Sequence, residues 1–237
     1  MELTNQGGAR KRPKIDIQRV EEVMSQIIRH RIMVVRFRFN LSPQDATNLL
    51  AAHYASVVDK RHGKMILDEN TSNSIISMAE YITQEFPKFG VMLCGTCGNG
   101  KTTLVYALQS AINYLNHCHH FDFIKDLDPY YDIGLRIVDV RDIIHAATDT
   151  DSFTLYCRAS MLAIDDMGKE PVEILHYGNS LNPIIELMEY RYQHQKFTVV
   201  TTNLTAKDIR QKYGARVADR FNEMLHVIVF QDITYRR

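Results

Sequence analysis

No stretch of this 237-residue chain strings together the roughly eighteen apolar residues that a membrane-spanning helix needs. Met1 to Lys14 is polar and basic and has no apolar centre, so it does not read as a secretory leader. Cysteine is sparse: four in the chain, with no small-scaffold spacing. That excludes a disulfide framework and points to reduced thiols, as in a cytoplasmic protein. Residues 1–70 contain no cysteine, which removes a zinc-finger pattern from that end. Net charge is zero, with a basic excess in residues 1–70 and an acidic excess in 71–237. Such asymmetry suits a nucleic acid or an acidic protein face at the N-terminal end, and solvated surface charge accounts for it equally well. No internal repeat or low-complexity tract is present. The apolar content of 45% is ample for a core, and the length allows one large domain or two.

What the chain does contain is Gly95-Thr96-Cys97-Gly98-Asn99-Gly100-Lys101-Thr102-Thr103. This is G-x-x-x-x-G-K-[ST], the phosphate-binding loop of P-loop NTPases. Its glycines let the backbone curl so that N–H groups converge on phosphate oxygens. Lys101 is expected against the β- and γ-phosphates of ATP, and the Thr102 hydroxyl on Mg²⁺. The apolar run Gly90 to Cys94 before the loop reads as a buried parallel strand. Leu104, Val105, Leu108, Ala111, Ile112 and Leu115 after it mark one face of a helix. Strand, loop and helix is the order this motif requires.

The rest of the chain falls into segments. Residues 1–14 read as a flexible basic tail and 15–68 as a mainly helical region. A helix is expected from Ile17, an extended stretch over Met33 to Phe39, and a helix from the Ser42-Pro43 cap to about Lys60. A boundary is expected between about 62 and 72, followed by a helix capped at Thr71 or Ser72. Beyond the loop helix, strands at Leu135–Val140, Met161–Ile164, Phe197–Thr201 and Val227–Phe230 alternate with helices near Arg141–Ala147 and from Asn182-Pro183. Such alternation implies an α/β fold with a parallel sheet covered on both faces, and ligand chemistry at the carboxyl ends of its strands.

Two further segments bear on the chemistry. Met161 to Asp166 is four apolar residues followed by two acids, and a buried strand seldom ends so without a cation or donor to meet them. Behind a phosphate loop this is the Walker B element. Asp165 is expected to hold the Mg²⁺ shell through water, since this ion keeps several of its waters, and Asp166 to orient or deprotonate the attacking water. Phe197 to Asn203 ends another strand on polar residues. If that strand adjoins the first, the Asn203 amide reaches the γ-phosphate side. A turn-forming Asn reads equally well from this strand alone. By spacing alone, Arg216 and Arg220 share one helical face, paired with Asp219 or solvated.

Five segments together resemble one family: GTCGNGKTT, MLAIDDMG, IIELMEYRYQHQKFTVVTTNL, YGARVADRF and the terminal ITYRR. In this order they look like the AAA+ ATPases of the DnaC-type replicative helicase loaders and their relatives, the IstB-type transposition ATPases. The resemblance covers about residues 69–237. It implies strand order 5-1-4-3-2 and makes Asn203 the sensor residue. Arg220 becomes the arginine finger with Arg216 beside it, and Arg236 the second sensor arginine. It further implies homo-oligomers with ATP at subunit junctions, contact with single-stranded DNA, and a hexameric helicase or a transposase as partner. In loaders the N-terminal region grips the helicase, which makes residues 15–68 the expected partner-binding part.

Other patterns carry less. Cys94 and Cys97 form C-x-x-C without a second pair. Asn116 to His120 and the acids from Asp122 to Asp132 read as loops, not metal sites. A small-molecule kinase on the same loop would carry an arginine-rich lid, yet Arg141, Arg158 and Arg191 are the sparse arginines between the second and fourth strands. An ATP switch that does not hydrolyse is the other alternative, because Asp166 is a methylene shorter than the glutamate common at that position.

Overall fold

The computed structural model describes residues 16–29, 36–118, 134–176, 178–231 and 235. The chain divides into two units, Met1–Val35 and Arg36–Arg237. In the first, helix α1 (Ile17–Arg29) carries Ile17, Val20, Val23 and Met24 with their side chains exposed.

The second unit is built on five parallel strands: β1 (Gly90–Cys94), β2 (Leu135–Asp139), β3 (Met161–Met167), β6 (Phe197–Thr202) and β7 (Leu225–Val229). Their order is β2-β3-β6-β1-β7. Counted within the sheet alone, that is the expected 5-1-4-3-2. Side chains alternate along each strand between two apolar layers. Val91, Leu93, Ala163 and Val199 enter one layer. Met92, Leu162, Ile164 and Val200 enter the other. The first layer is covered by α2 (Pro43–Lys60), α3 (Glu69–Thr83) and α4 (Lys101–His117). The second is covered by α5 (Val140–Ala146), α7 (Pro183–Gln193) and α9 (Ala215–Met224). Gly90 lets β1 lie close to β6, since a Cβ there would sit 2.4 Å from the Thr198 carbonyl oxygen.

One boundary differs from expectation. The compact unit begins at Arg36, not near residue 69. Phe37, Phe39, Ala46, Leu50 and Tyr54 are buried in the same core as β1 and α4. The extended segment after Arg36 docks through the Phe39 N–H on the Ile82 carbonyl at 2.7 Å. The physical reason is α2's apolar face, which has α3 and α4 to cover. Ser42 caps α2 as expected, accepting from the Asp45 N–H. Helix α3 starts earlier than expected, on Asp68, which accepts from the Thr71 N–H at 2.9 Å.

Four elements lie outside the sequence reading: helices α6 (Thr150–Arg158) and α8 (Ala206–Tyr213), and the antiparallel pair β4 (Ile174–His176) and β5 (Asn179–Leu181). Arg191 of α7 is fully buried and ties α6 to the sheet. Its guanidinium donates to the Ala159 carbonyl at 2.8 Å, the Phe197 carbonyl at 2.6 Å and the Thr198 hydroxyl at 2.8 Å. No helix of the described residues is long and apolar enough to cross a membrane.

Candidate nucleotide site

Loop 95–100 leaves the carboxyl end of β1 beside that of β6, with the Gly95 N–H on the Thr202 carbonyl at 3.2 Å. Gly95, Gly98 and Gly100 all take positive φ, at 149°, 84° and 97°. Gly100 has a second constraint: a Cβ there would meet the Tyr54 hydroxyl oxygen at 2.5 Å. Lys101 follows as the first residue of α4. Its ammonium is 2.7 Å from both the Gly95 and Thr96 carbonyls, 3.1 Å from Asn99 Oδ1 and 2.9 Å from Asn203 Oδ1. Burial pushes the Lys101 pKa down, and the nearby Cys97 and acids oppose that shift. Four acceptors around a buried cation leave it centred in the loop.

Strand β3 reaches the same place through a bulge. Ile164 pairs with Val200 and Met167 with Thr202, so Asp165 and Asp166 together oppose Thr201. The Thr201 hydroxyl serves both: it donates to Asp165 Oδ1 at 2.5 Å and accepts from the Asp166 N–H at 2.8 Å. Asp166 consequently adopts φ 60°, which separates its side chain from that of Asp165. Asp165 also accepts from the Thr102 hydroxyl at 2.9 Å. The two residues expected at Mg²⁺ are thus in direct contact, and Asn203, expected on the γ-phosphate side, meets Lys101.

The loop, Thr102, Asp166 and Asn203 border a cavity of about 710 Å³. Cys97, Gly98, Asn99, Gly100, Lys101, Thr102, Thr103, Asp166 and Asn203 line one side. Tyr54, Val58 and the link from Arg61 to Ile66 line the other. Sequence reading missed that second wall by placing it in a separate region. The only signal available there was the break at Lys60-Arg61-His62-Gly63. Burial, followed by the charges of Tyr235 and Asp68, pushes the Tyr54 hydroxyl up to about 12, so it stays protonated. Tyr235 closes the cavity from the C-terminal end: its N–H donates to the Gly98 carbonyl at 2.9 Å and its hydroxyl to Asp68 at 2.7 Å. Arg236 lies outside the described residues.

Arg216 and Arg220 do not enter this cavity. Both face Glu189 of α7, Arg216 at 3.8 Å and Arg220 in a direct ion pair, with the Arg220 guanidinium 5.3 Å from the Tyr192 ring centre. The expected pairing with Asp219 is taken instead by Arg210, at 3.5 Å. Cys94 and Cys97 are free thiols, and Asn203 Nδ2 donates to Cys97 Sγ at 3.1 Å. Among the described residues no group of His, Cys, Asp or Glu is arranged to hold a metal by itself. The histidine and acid cluster of residues 119–132 lies outside the described residues.

Sheet order, phosphate loop and acid pair give the chain the fold of P-loop NTPase domains of the AAA+ type. In fold the chain is similar to the DnaC helicase loader, with TM-score 0.54 and 20% identity, over 75% of this chain and 98% of that one. It is likewise similar to DnaI, with TM-score 0.53 and 18% identity, over 73% of this chain and 88% of that one. No family model and no curated protein matches the sequence.

Proposed function

We propose that this chain is an ATP-hydrolysing AAA+ protein of DNA replication that loads or remodels a hexameric replicative helicase. The observation that carries the ATPase part is the direct contact of Thr102 with Asp165, beside the Lys101–Asn203 contact. A hydroxyl and a carboxylate oxygen at 2.9 Å are a hard-oxygen pair that fits Mg²⁺. The positive-φ glycines fit phosphates, which need N–H groups turned to one side. Val58, Met65 and Ile66 offer the apolar part of the cavity to a purine ring. The likeness to a helicase loader across nearly all of that chain supports the choice of partner.

On this reading the loop N–H groups and Lys101 bind the triphosphate, Lys101 exchanging its own loop carbonyls for phosphate oxygens. Thr102 and Asp165 would hold Mg²⁺, which supplies charge neutralisation at the phosphates when bound. Asn203 orients water, Asp166 accepts its proton, and Arg220 of a second copy meets the charge that develops. Single-stranded DNA and the helicase regulate the cycle, which runs slowly without them.

The test is ATP hydrolysis together with co-purification. Lys101→Ala is expected to lower turnover at least ~100-fold, the scale of removing a transition-state contact. Wild-type turnover in Lys101→Ala would refute the ATPase reading. A hexameric helicase is expected to co-purify with the full chain; retention of a transposase in its place would move the protein to the IstB type.

A further inference from the structure

The carboxylate of Asp166 is not free in the cavity. Its Oδ2 is ion-paired with the ammonium of Lys169, three residues on, and both residues border the cavity. The pair is accessible, with the Lys169 side chain 48% and the Asp166 side chain 29% exposed. The backbone that carries Lys169 is anchored from behind. The Glu170 side chain, 1% exposed, accepts from the Gly168 N–H at 2.7 Å and from the Tyr213 hydroxyl. Lys212 donates to the Gly168 and Glu170 carbonyls, each at 2.6 Å. Lys212 and Tyr213 end helix α8 (Ala206–Tyr213), and Gly214 joins it to α9. Lys169 is therefore a flexible side chain on a fixed base, three residues from the acid it holds.

We infer that Lys169 is a positioning residue that clamps Asp166 and keeps the unpartnered protein in a slow state. The inference rests on the ATPase reading above. A carboxylate oxygen that accepts from an ammonium is taken up by that contact and is not presented to a water in the cavity. Its orientation is fixed toward Lys169 as well. The other nearby cation on that side, Arg141, is already engaged by Asp139 at 2.9 Å. Lys169 is thus the cation whose removal changes Asp166 while leaving the Thr102–Asp165 and Lys101–Asn203 contacts in place.

Steady-state ATP hydrolysis by the full chain tests this, with Lys169→Met and Lys169→Arg beside wild type. Lys169→Met is expected to raise kcat without partner roughly two- to five-fold, the scale of an accessible ion pair. KM for ATP stays unchanged, and Lys169→Arg keeps the wild-type rate. A fall in kcat with a raised KM would make Lys169 a phosphate contact and overturn the clamp. Unchanged kcat beside an active wild type overturns it too. Wild-type turnover no higher than that of Lys101→Ala would remove the ATPase reading itself, and the clamp with it. The side chain lies on the surface, so unchanged thermal unfolding of Lys169→Met is expected and keeps the comparison one of rates.

Discussion

Asp68 joins two parts of the chain that lie far apart in sequence. It caps α3 through the Thr71 N–H and accepts the Tyr235 hydroxyl, which brings the C-terminal end onto the phosphate loop. The Thr71 N–H, then the Tyr235 hydroxyl, hold the Asp68 pKa below its ordinary value. A carboxyl whose folded pKa is depressed stabilises the fold above its unfolded pKa, ~3.9, and loses that contribution as pH falls through the folded value. Asp68→Asn retains a capping oxygen but not the charge. It is expected to lower the thermal midpoint by roughly 1–3 °C at neutral pH. The gap should narrow as pH drops below ~4, which paired melting curves of the two proteins will check. A gap constant with pH would mean that the charge of Asp68 contributes nothing. Neither this contact nor that of Thr201 with Asp165 and Asp166 was legible in the sequence. Thr201 and Asp165 lie 36 residues apart, Tyr235 and Asp68 167 apart. Local patterns name residues by spacing along a helix or strand, so Gly95 to Thr103 could be read at once. Contacts made by the crossing of elements carry no such spacing.

Among the elements, the central strands β1, β3 and β6 were readable because each is a short apolar run buried on two faces, and the Ser42 cap marked the start of α2. Position in the fold was not readable for α2. Its apolar residues fit a small separate bundle as well as a flank of the sheet, and only the core shared with α4 decides between them. Helix α6 was missed for a related reason: among its residues Cys157 alone is buried, so it has little apolar pattern. The placement of α2 has a consequence for shortened chains. A chain that begins at Arg36 keeps Phe37, Phe39, Leu50 and Tyr54, and is expected to unfold in one cooperative transition. A chain that begins at Glu69 loses all four and bares the faces of α3 and α4 that they cover. Removing one large buried side chain costs ~3 kcal/mol, and four such losses approach the whole stability of a domain. Calorimetry should show a transition for the first chain and none for the second. A cooperative melt of the chain beginning at Glu69 would mean that α2 is a detachable element.

In the whole molecule, the cavity has one cationic side chain centred in its loop, Lys101, and Arg216 and Arg220, expected to complete the site, are elsewhere. Arg220 is held by Glu189 and Tyr192 on the face made by α7 and α9, outside the cavity lining. If it acts on ATP, it acts on the ATP of another copy. In the proposed oligomer, head-to-tail contacts, in which two different faces meet, would place one copy's loop against the next copy's α9. The proposal then makes a prediction that a single-chain active site cannot share. Lys101→Ala and Arg220→Ala should each be nearly inactive alone. Mixed in equal amounts, they form junctions in which the Lys101 of one chain meets the Arg220 of the other. With random assembly about one junction in four is complete, and activity should return toward that share of wild type. The measurement is ATP turnover against mixing ratio at constant total protein, with a maximum near equal amounts. An Arg220 that acts within its own chain gives no recovery at any ratio. An Arg220 that only braces α7 leaves Arg220→Ala active by itself. The ion pair with Glu189 adds a check within the same series. Glu189→Gln frees the guanidinium without removing it and keeps Lys101, so a chain carrying that change should be active alone, and its mixtures with Lys101→Ala should gain turnover in proportion to its share, with no maximum near equal amounts.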